Sequence, residues 1–113
     1  MPRDDELADR VRLLVGAEPG VTEQRMFGGI AFLVGGNLAV SASGQGGLLV
    51  RADRAAFDEL VATTPAEPME MRGRPMRGWL RVGGEHVRTD ADLARWVGIG
   101  VGHARSLPAK PGP

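Results

Sequence analysis

Apolar positions change period several times along the chain, and each change marks an element. Leu7, Val11, Leu14 and Val15 fall at helical spacing, with Asp4 or Asp5 available as a cap and Gly16 as a stop. After a turn built on Pro19-Gly20, the segment from Met26 to Val34 is short, rich in β-formers and apolar at successive positions. That is the pattern of a central strand buried on both faces. Gly35-Gly36-Asn37 predicts a hairpin, after which Leu38, Val40 and Ala42 alternate with Ala39, Ser41 and Ser43. A second glycine turn, Gly44 to Gly47, leads into Leu48–Arg51 and completes a three-stranded meander.

Asp53 can cap a short helix whose Phe57, Leu60 and Val61 share one face and which ends before Pro65. Pro68–Arg72 and Met76–Val82 then flank Gly73-Arg74-Pro75 as a second hairpin. Thr89 and Asp92 resemble a capping box at the head of a last helix, which carries the stripe Leu93, Trp96, Val97, Val101 and Ala104. Strands joined by tight turns are antiparallel, so this order excludes a doubly wound parallel sheet. It predicts an α+β two-layer sandwich, α-β(3)-α-β(2)-α, with a five-stranded antiparallel sheet and helices packed on one face. The other face is then left to solvent or to a second subunit, which predicts a homodimer. Residues 1–106 read as one domain, and the proline-rich segment 107–113 reads as a disordered tail.

Composition narrows the function. The chain has 113 residues, enough for one domain, and 14 basic residues balance 14 acidic ones. Zero net charge excludes a surface that grips nucleic acid everywhere but leaves room for a local basic patch. The zero is a sum of opposed segments: −3 over residues 1–24, −4 over 53–70 and +4 over 72–88. Absence of cysteine excludes disulfides, thiol nucleophiles and cysteine metal sites. The start Met1-Pro2-Arg3-Asp4-Asp5-Glu6 lacks a secretory pattern, and no apolar run approaches the roughly 18 residues of a membrane span. A soluble cytoplasmic protein without membrane contact is expected.

The catalytic inventory is thin. His86 and His103 fall in different elements without ligand-spaced partners. Ser41 and Ser43 lack a nucleophile elbow, and Gly44-Gln45-Gly46-Gly47 joins strand to strand without the Lys-Ser/Thr pair of a phosphate loop. No catalytic, metal-binding or cofactor-binding residue is therefore assigned.

One stretch carries more information. Arg72, Arg74, Arg77, Arg81 and Arg88 face only Glu85 in charge, and period-two alternation puts Arg77, Trp79 and Arg81 on one face of a strand. An indole between guanidiniums either stacks on bases while the arginines meet phosphates, or forms a solvated face with cation–π contacts inside the protein. Arg25 and Arg51 are further candidates for the same surface. Glycine is abundant, 17 of 113 residues, roughly twice ordinary usage. Gly98, Gly100 and Gly102 fall inside the last helix, where each costs up to about 1 kcal/mol relative to Ala. They serve either packing against the sheet or a helix contact across a dimer.

The residues Arg25-Met26-Phe27-Gly28-Gly29, the strand end Leu48-Leu49-Val50-Arg51-Ala52-Asp53, and Gly73-Arg74-Pro75-Met76 leading to Trp79 follow one another in order. In these motifs the chain resembles the TfoX N-terminal domain family, named for a bacterial competence regulator. The resemblance spans roughly residues 5–106. It implies the same α-β(3)-α-β(2)-α sandwich, a structural role for Met26, Phe27, Gly28, Gly29, Gly73, Pro75 and Met76, and a transcription-related role. It supplies no catalytic residues, and it implies a stand-alone N-terminal domain, without the second helical domain of the name-giving regulator. The leading expectation is a small non-enzymatic regulatory or adaptor domain that contacts a protein partner through Arg74, Arg77, Trp79 and Arg81, with Arg25 and Arg51 added. Direct nucleic-acid binding through the same Arg-Trp-Arg face is the alternative, and an enzyme or ligand-binding protein with a site between helices and sheet is the third.

Overall fold

A computed structural model describes residues 3–26, 29–43 and 47–108. Its elements are α1 (Arg3–Val15), β1 (Val21–Met26), β2 (Gly29–Val34), β3 (Asn37–Ala42), β4 (Leu48–Arg51), α2 (Arg54–Thr63), β5 (Glu67–Met71), β6 (Arg74–Val82), a 3₁₀ turn (Gly84–His86) and α3 (Asp90–Ser106). The strands form one antiparallel sheet in the order β1-β2-β3-β4-β6-β5.

The sheet has six strands, not the expected five. The added strand is β1, which the sequence reading passed over because Thr22, Glu23, Gln24 and Arg25 show no apolar alternation. All four are exposed, as suits an edge strand that is paired on one side only and guarded by charge against further pairing. Met26, expected to open the central strand, instead closes β1 and pairs with Gly29, where β2 begins. Phe27 and Gly28 of the motif lie outside the described residues, as do Gly44 and Gly46. β2 itself is central and buries both Ala31 and Phe32.

The second hairpin also departs from expectation. Arg72 (φ 55°) and Gly73 (φ 78°) form its two-residue turn between the paired Met71 and Arg74, so the turn lies one residue earlier than read and Arg74 already belongs to β6. Two successive positive φ angles match the twist of the flanking strands. Pro75 is tolerated because β4 pairs with β6 only from Trp79 onward, leaving this part of β6 bonded on one side. Further along, Pro68 pairs with Leu80 but Met69 with Met76, so Arg77, Gly78 and Trp79 bulge from β6 without counterparts on β5. Gly78 has φ 89°, and its carbonyl accepts a 2.8 Å bond from the Ala52 amide.

One buried cluster joins all three helices to the sheet: Leu7 and Val11 of α1, Phe57 of α2, and Leu93, Trp96 and Val97 of α3 pack with Phe32, Val40, Val50 and Leu80. The register places Phe32 beside Val40, Val40 beside Val50, and Val50 beside Leu80, a continuous row across four strands. Leu14, read as part of the buried stripe of α1, is 40% exposed. α3 presses its backbone onto β3: a Cβ added at Gly100 would stand 2.3 Å from the carbonyl oxygen of Ala39. Two of the predicted caps form, with Asp53 accepting from the Ala55 amide at 2.9 Å and Thr89 from the Asp92 amide at 3.1 Å. Asp4 and Asp5, expected to cap α1, instead lie inside that helix, which already includes Arg3. Arg10 ties α1 to the approach of α3 by donating to the carbonyls of Val87 and Arg88 at 3.0 and 2.9 Å. At the tail, the Asn37 side chain donates to the carbonyl of Pro108 at 3.0 Å, and residues 109–113 lie outside the described residues. No described helix is long and apolar enough to cross a membrane.

Candidate functional site

The row next to the core row carries a different chemistry. Gln24, Ala31, Ser41, Leu49, Arg81 and Glu67 are successive register partners, and Arg51 is the partner of Trp79. Side chains alternate between sheet faces, so this row points away from the core row. Ala31 and Leu49 are buried but stand outside the main core cluster. At the β4–β6 end of the row the surface becomes basic and aromatic.

Arg51 and Trp79 form its centre. The Arg51 guanidinium carbon lies 4.8 Å from the centroid of the Trp79 ring, within cation–π range, and Trp79 is half-buried. Arg51 Nε is buried without a hydrogen-bond partner. The Gly78 bulge makes the room: a Cβ there would lie 3.3 Å from the Ala52 carbonyl oxygen, 3.3 Å from Arg54 Cγ and 3.9 Å from Arg51 Nε.

The remaining expected residues divide. Arg77, exposed on the bulge, pairs with Asp58 of α2 at 2.6 Å, with both side chains more than half exposed. Such a pair contributes at most about 1 kcal/mol, but it fixes where the guanidinium points. Arg81 is exposed beside Glu67 and Leu49 in register. Arg74 is exposed at the start of β6, close to the hairpin turn and beyond the reach of β4. Arg25 is not brought to this face: it stands on β1, three strands away from β4, in register with Ile30 and through it Ala42, Leu48 and Val82 of the core side. Of the motif residues, Gly73 supplies the turn, Pro75 pairs with Glu70, and half-buried Met76 lies opposite Met69. Asp58 was missed as a site residue because its partner lies 19 positions away in sequence. The bulge had a readable signal, an isolated glycine inside a strand.

Other charges are spent on the fold. Arg12 reaches Glu23 through two hydrogen bonds, at 2.6 and 2.7 Å, and lies 5.9 Å over the Phe32 ring. The hydrogen bonds from Arg12 hold the Glu23 carboxyl below the usual carboxylate range, although partial desolvation works against this. A broad groove of about 1000 Å³ beside Arg81 is lined by both signs, Glu6, Asp9 and Glu85 against Arg10 and Arg88. His86 sits in the 3₁₀ turn and His103 on α3, while Ser41 is buried and donates to the Ile30 carbonyl at 3.3 Å. Among the described residues no group of three or more His, Cys, Asp or Glu could hold a metal ion.

Fold and surface together define a small α+β domain whose distinctive chemistry is a basic, aromatic patch on a sheet. The sequence model of the TfoX N-terminal domain matches residues 13–104, most of the chain, and the protein belongs to that family. All three motifs, Arg25–Gly29, Leu48–Asp53 and Gly73–Met76, fall inside the match. Comparison with curated proteins gave no match.

Proposed function

We propose that this protein is a non-enzymatic regulatory or adaptor domain, acting in the cytoplasm within transcription by contact with another protein. The observation that carries the reading is the Arg51–Trp79 stack, with Arg81 in the neighbouring register pair of β4 and β6. Partly exposed Trp and Arg are the residue types that dominate protein interfaces. Arg51 itself is half-buried, and its guanidinium lies over the partly exposed indole. The partner fitted to this face is an acidic segment with an apolar side chain, its carboxylates on Arg51 and Arg81 and its apolar group on Trp79. Membership of the TfoX N-terminal domain family supports a regulatory context.

Nucleic acid fits the face less well. Arg77 is already directed at Asp58, and Arg51 covers the indole on which a base would stack. Affinity capture from native lysate, comparing the wild type with Trp79→Ala, Arg51→Ala and Arg81→Ala, tests the reading. The expected result is a specific protein lost with all three substitutions; a captured set that none of them alters overturns it. Fluorescence anisotropy with single- and double-stranded DNA at low salt is expected to stay flat. Binding that falls steeply with salt and is lost on Arg81→Ala would establish the nucleic-acid reading instead.

A further inference from the structure

Arg25, a contact candidate in the sequence, stands on β1 at the free edge of the sheet, away from the Arg51–Trp79 face. It is exposed, and no hydrogen bond or ion pair joins its guanidinium to a described residue. Glu23, two positions earlier, is also exposed, and Arg12 donates one hydrogen bond to each of its carboxylate oxygens. Each oxygen keeps a second lone pair. Glu23 and Arg25 are register partners of Phe32 and Ile30, so their side chains lie on the same side of the sheet. The main chain is free at these same two residues. Gly35 donates to the Gly20 carbonyl at 3.1 Å, one step beyond the Val21–Val34 pair. The alternation of an antiparallel ladder then directs the N–H and C=O groups of Thr22, Gln24 and Met26 to β2, and those of Val21, Glu23 and Arg25 outward. β1 pairs over six residues without a bulge and contains no proline, so it lacks two devices that commonly prevent strand addition.

We propose that β1 pairs antiparallel with β1 of a second copy of this chain, about a two-fold axis at Gln24, and joins the two sheets edge to edge. A two-fold contact requires a patch that is complementary to itself. With Gln24 opposite Gln24, Glu23 of each copy stands opposite Arg25 of the other, and these same residues exchange main-chain hydrogen bonds. Sliding the strands by two residues in either direction sets Glu23 against Glu23 or Arg25 against Arg25. The charges that guard this edge against other strands therefore select one partner and one register. Arg12 holds the Glu23 carboxylate in place before association, which lowers the ordering cost of the contact. β4 and β6 take no part, so the Arg51–Trp79 face stays open in the dimer.

Sedimentation velocity of the full chain from low to high micromolar concentration tests the proposal, with thermal melts to monitor folding. The wild type is expected to dimerise reversibly. Arg25→Glu sets carboxylate against carboxylate at both pairs, and Glu23→Arg sets guanidinium against guanidinium; each is expected to weaken self-association by about tenfold or more. An equimolar mixture of the two variants restores both opposite-charge pairs and is expected to form a heterodimer. Arg25→Pro removes an N–H that β2 does not use, so it is expected to stay folded and fail to dimerise. Should Glu23→Arg not fold for want of its contact with Arg12, Arg25→Glu and Arg25→Pro still decide. A wild type that stays monomeric throughout overturns the proposal. So does a dimer that survives both Arg25 variants, or a mixture of folded variants that associates no better than either alone. A dimer lost on Trp79→Ala overturns it as well, since the interface would then lie on the other surface.

Discussion

Two arginines lie over aromatic rings near opposite edges of the sheet, and they are held in different ways. Arg12 over Phe32 is surrounded by acceptors, with two hydrogen bonds to Glu23 and one to Asp9. Arg51 over Trp79 lies nearer its ring, and its buried Nε has no partner. The first arrangement is closed: α1 is fastened to β1, and the guanidinium is engaged by two carboxylates of its own chain. The second keeps a donor that the fold does not use, next to an indole that is partly exposed. Equal residue types at similar ring contacts thus separate into a structural pair and a recognition surface, and the neighbouring carboxylates make the difference.

The comparison can be broken most strongly at Gly78. Gly78→Ala forces a side chain into φ 89° and against the Ala52 carbonyl; a loss of about 1–3 kcal/mol in chemical denaturation is expected, together with loss of partner capture. An unchanged denaturation midpoint would show that the bulge does not hold the Arg51–Trp79 stack.

Arg51→Met is expected to be milder in stability, since the lost cation–π contact is worth about 0.5–1 kcal/mol and the apolar side chain relieves the unpartnered Nε. Capture of the partner should nevertheless disappear. The corresponding substitution Arg12→Met should leave capture intact while weakening the fold. If both variants behave alike, the distinction between the two arginines fails.

The smallest effect is the pH dependence of the Arg12–Glu23 pair. Its hydrogen bonds lower the folded-state pKa of Glu23, so the stabilisation is present above the ordinary carboxylate range and is lost as pH falls through the lowered value. Glu23→Gln should therefore flatten the acid limb of a pH–stability curve and leave the neutral-to-alkaline limb parallel to wild type. Identical acid limbs in the two proteins would show that the pair does not contribute.

The apolar elements were legible because burial writes a period into the sequence. α2 and α3 appeared with their caps, and β2 was recognised as central from its unbroken apolar run. β1 was invisible for the opposite reason: an edge strand with four exposed polar residues is defined by its hydrogen bonds to β2, and those leave no hydrophobic signature. The alternation of Trp79 and Arg81 against Leu80 and Val82 was readable from β6 alone. The bulge at Gly78 breaks it at Arg77, which does not share their phase and pairs with Asp58 of α2 instead. That Arg51 would sit under Trp79 was not readable, because it depends on the β4–β6 register between residues 28 positions apart in the chain.

By itself, then, the sequence determined the three helices, the apolar strands, the antiparallel class and the caps of α2 and α3, all consequences of local periodicity and turn chemistry. The tertiary structure decided which charges are consumed and which remain. Asp58 claims Arg77, Glu23 claims Arg12, and Gly100 is claimed by the Ala39 carbonyl while Gly98 and Gly102 are left open. Those outcomes depend on distances between segments far apart along the chain, and such distances are fixed only when the sheet register and the helix docking are complete.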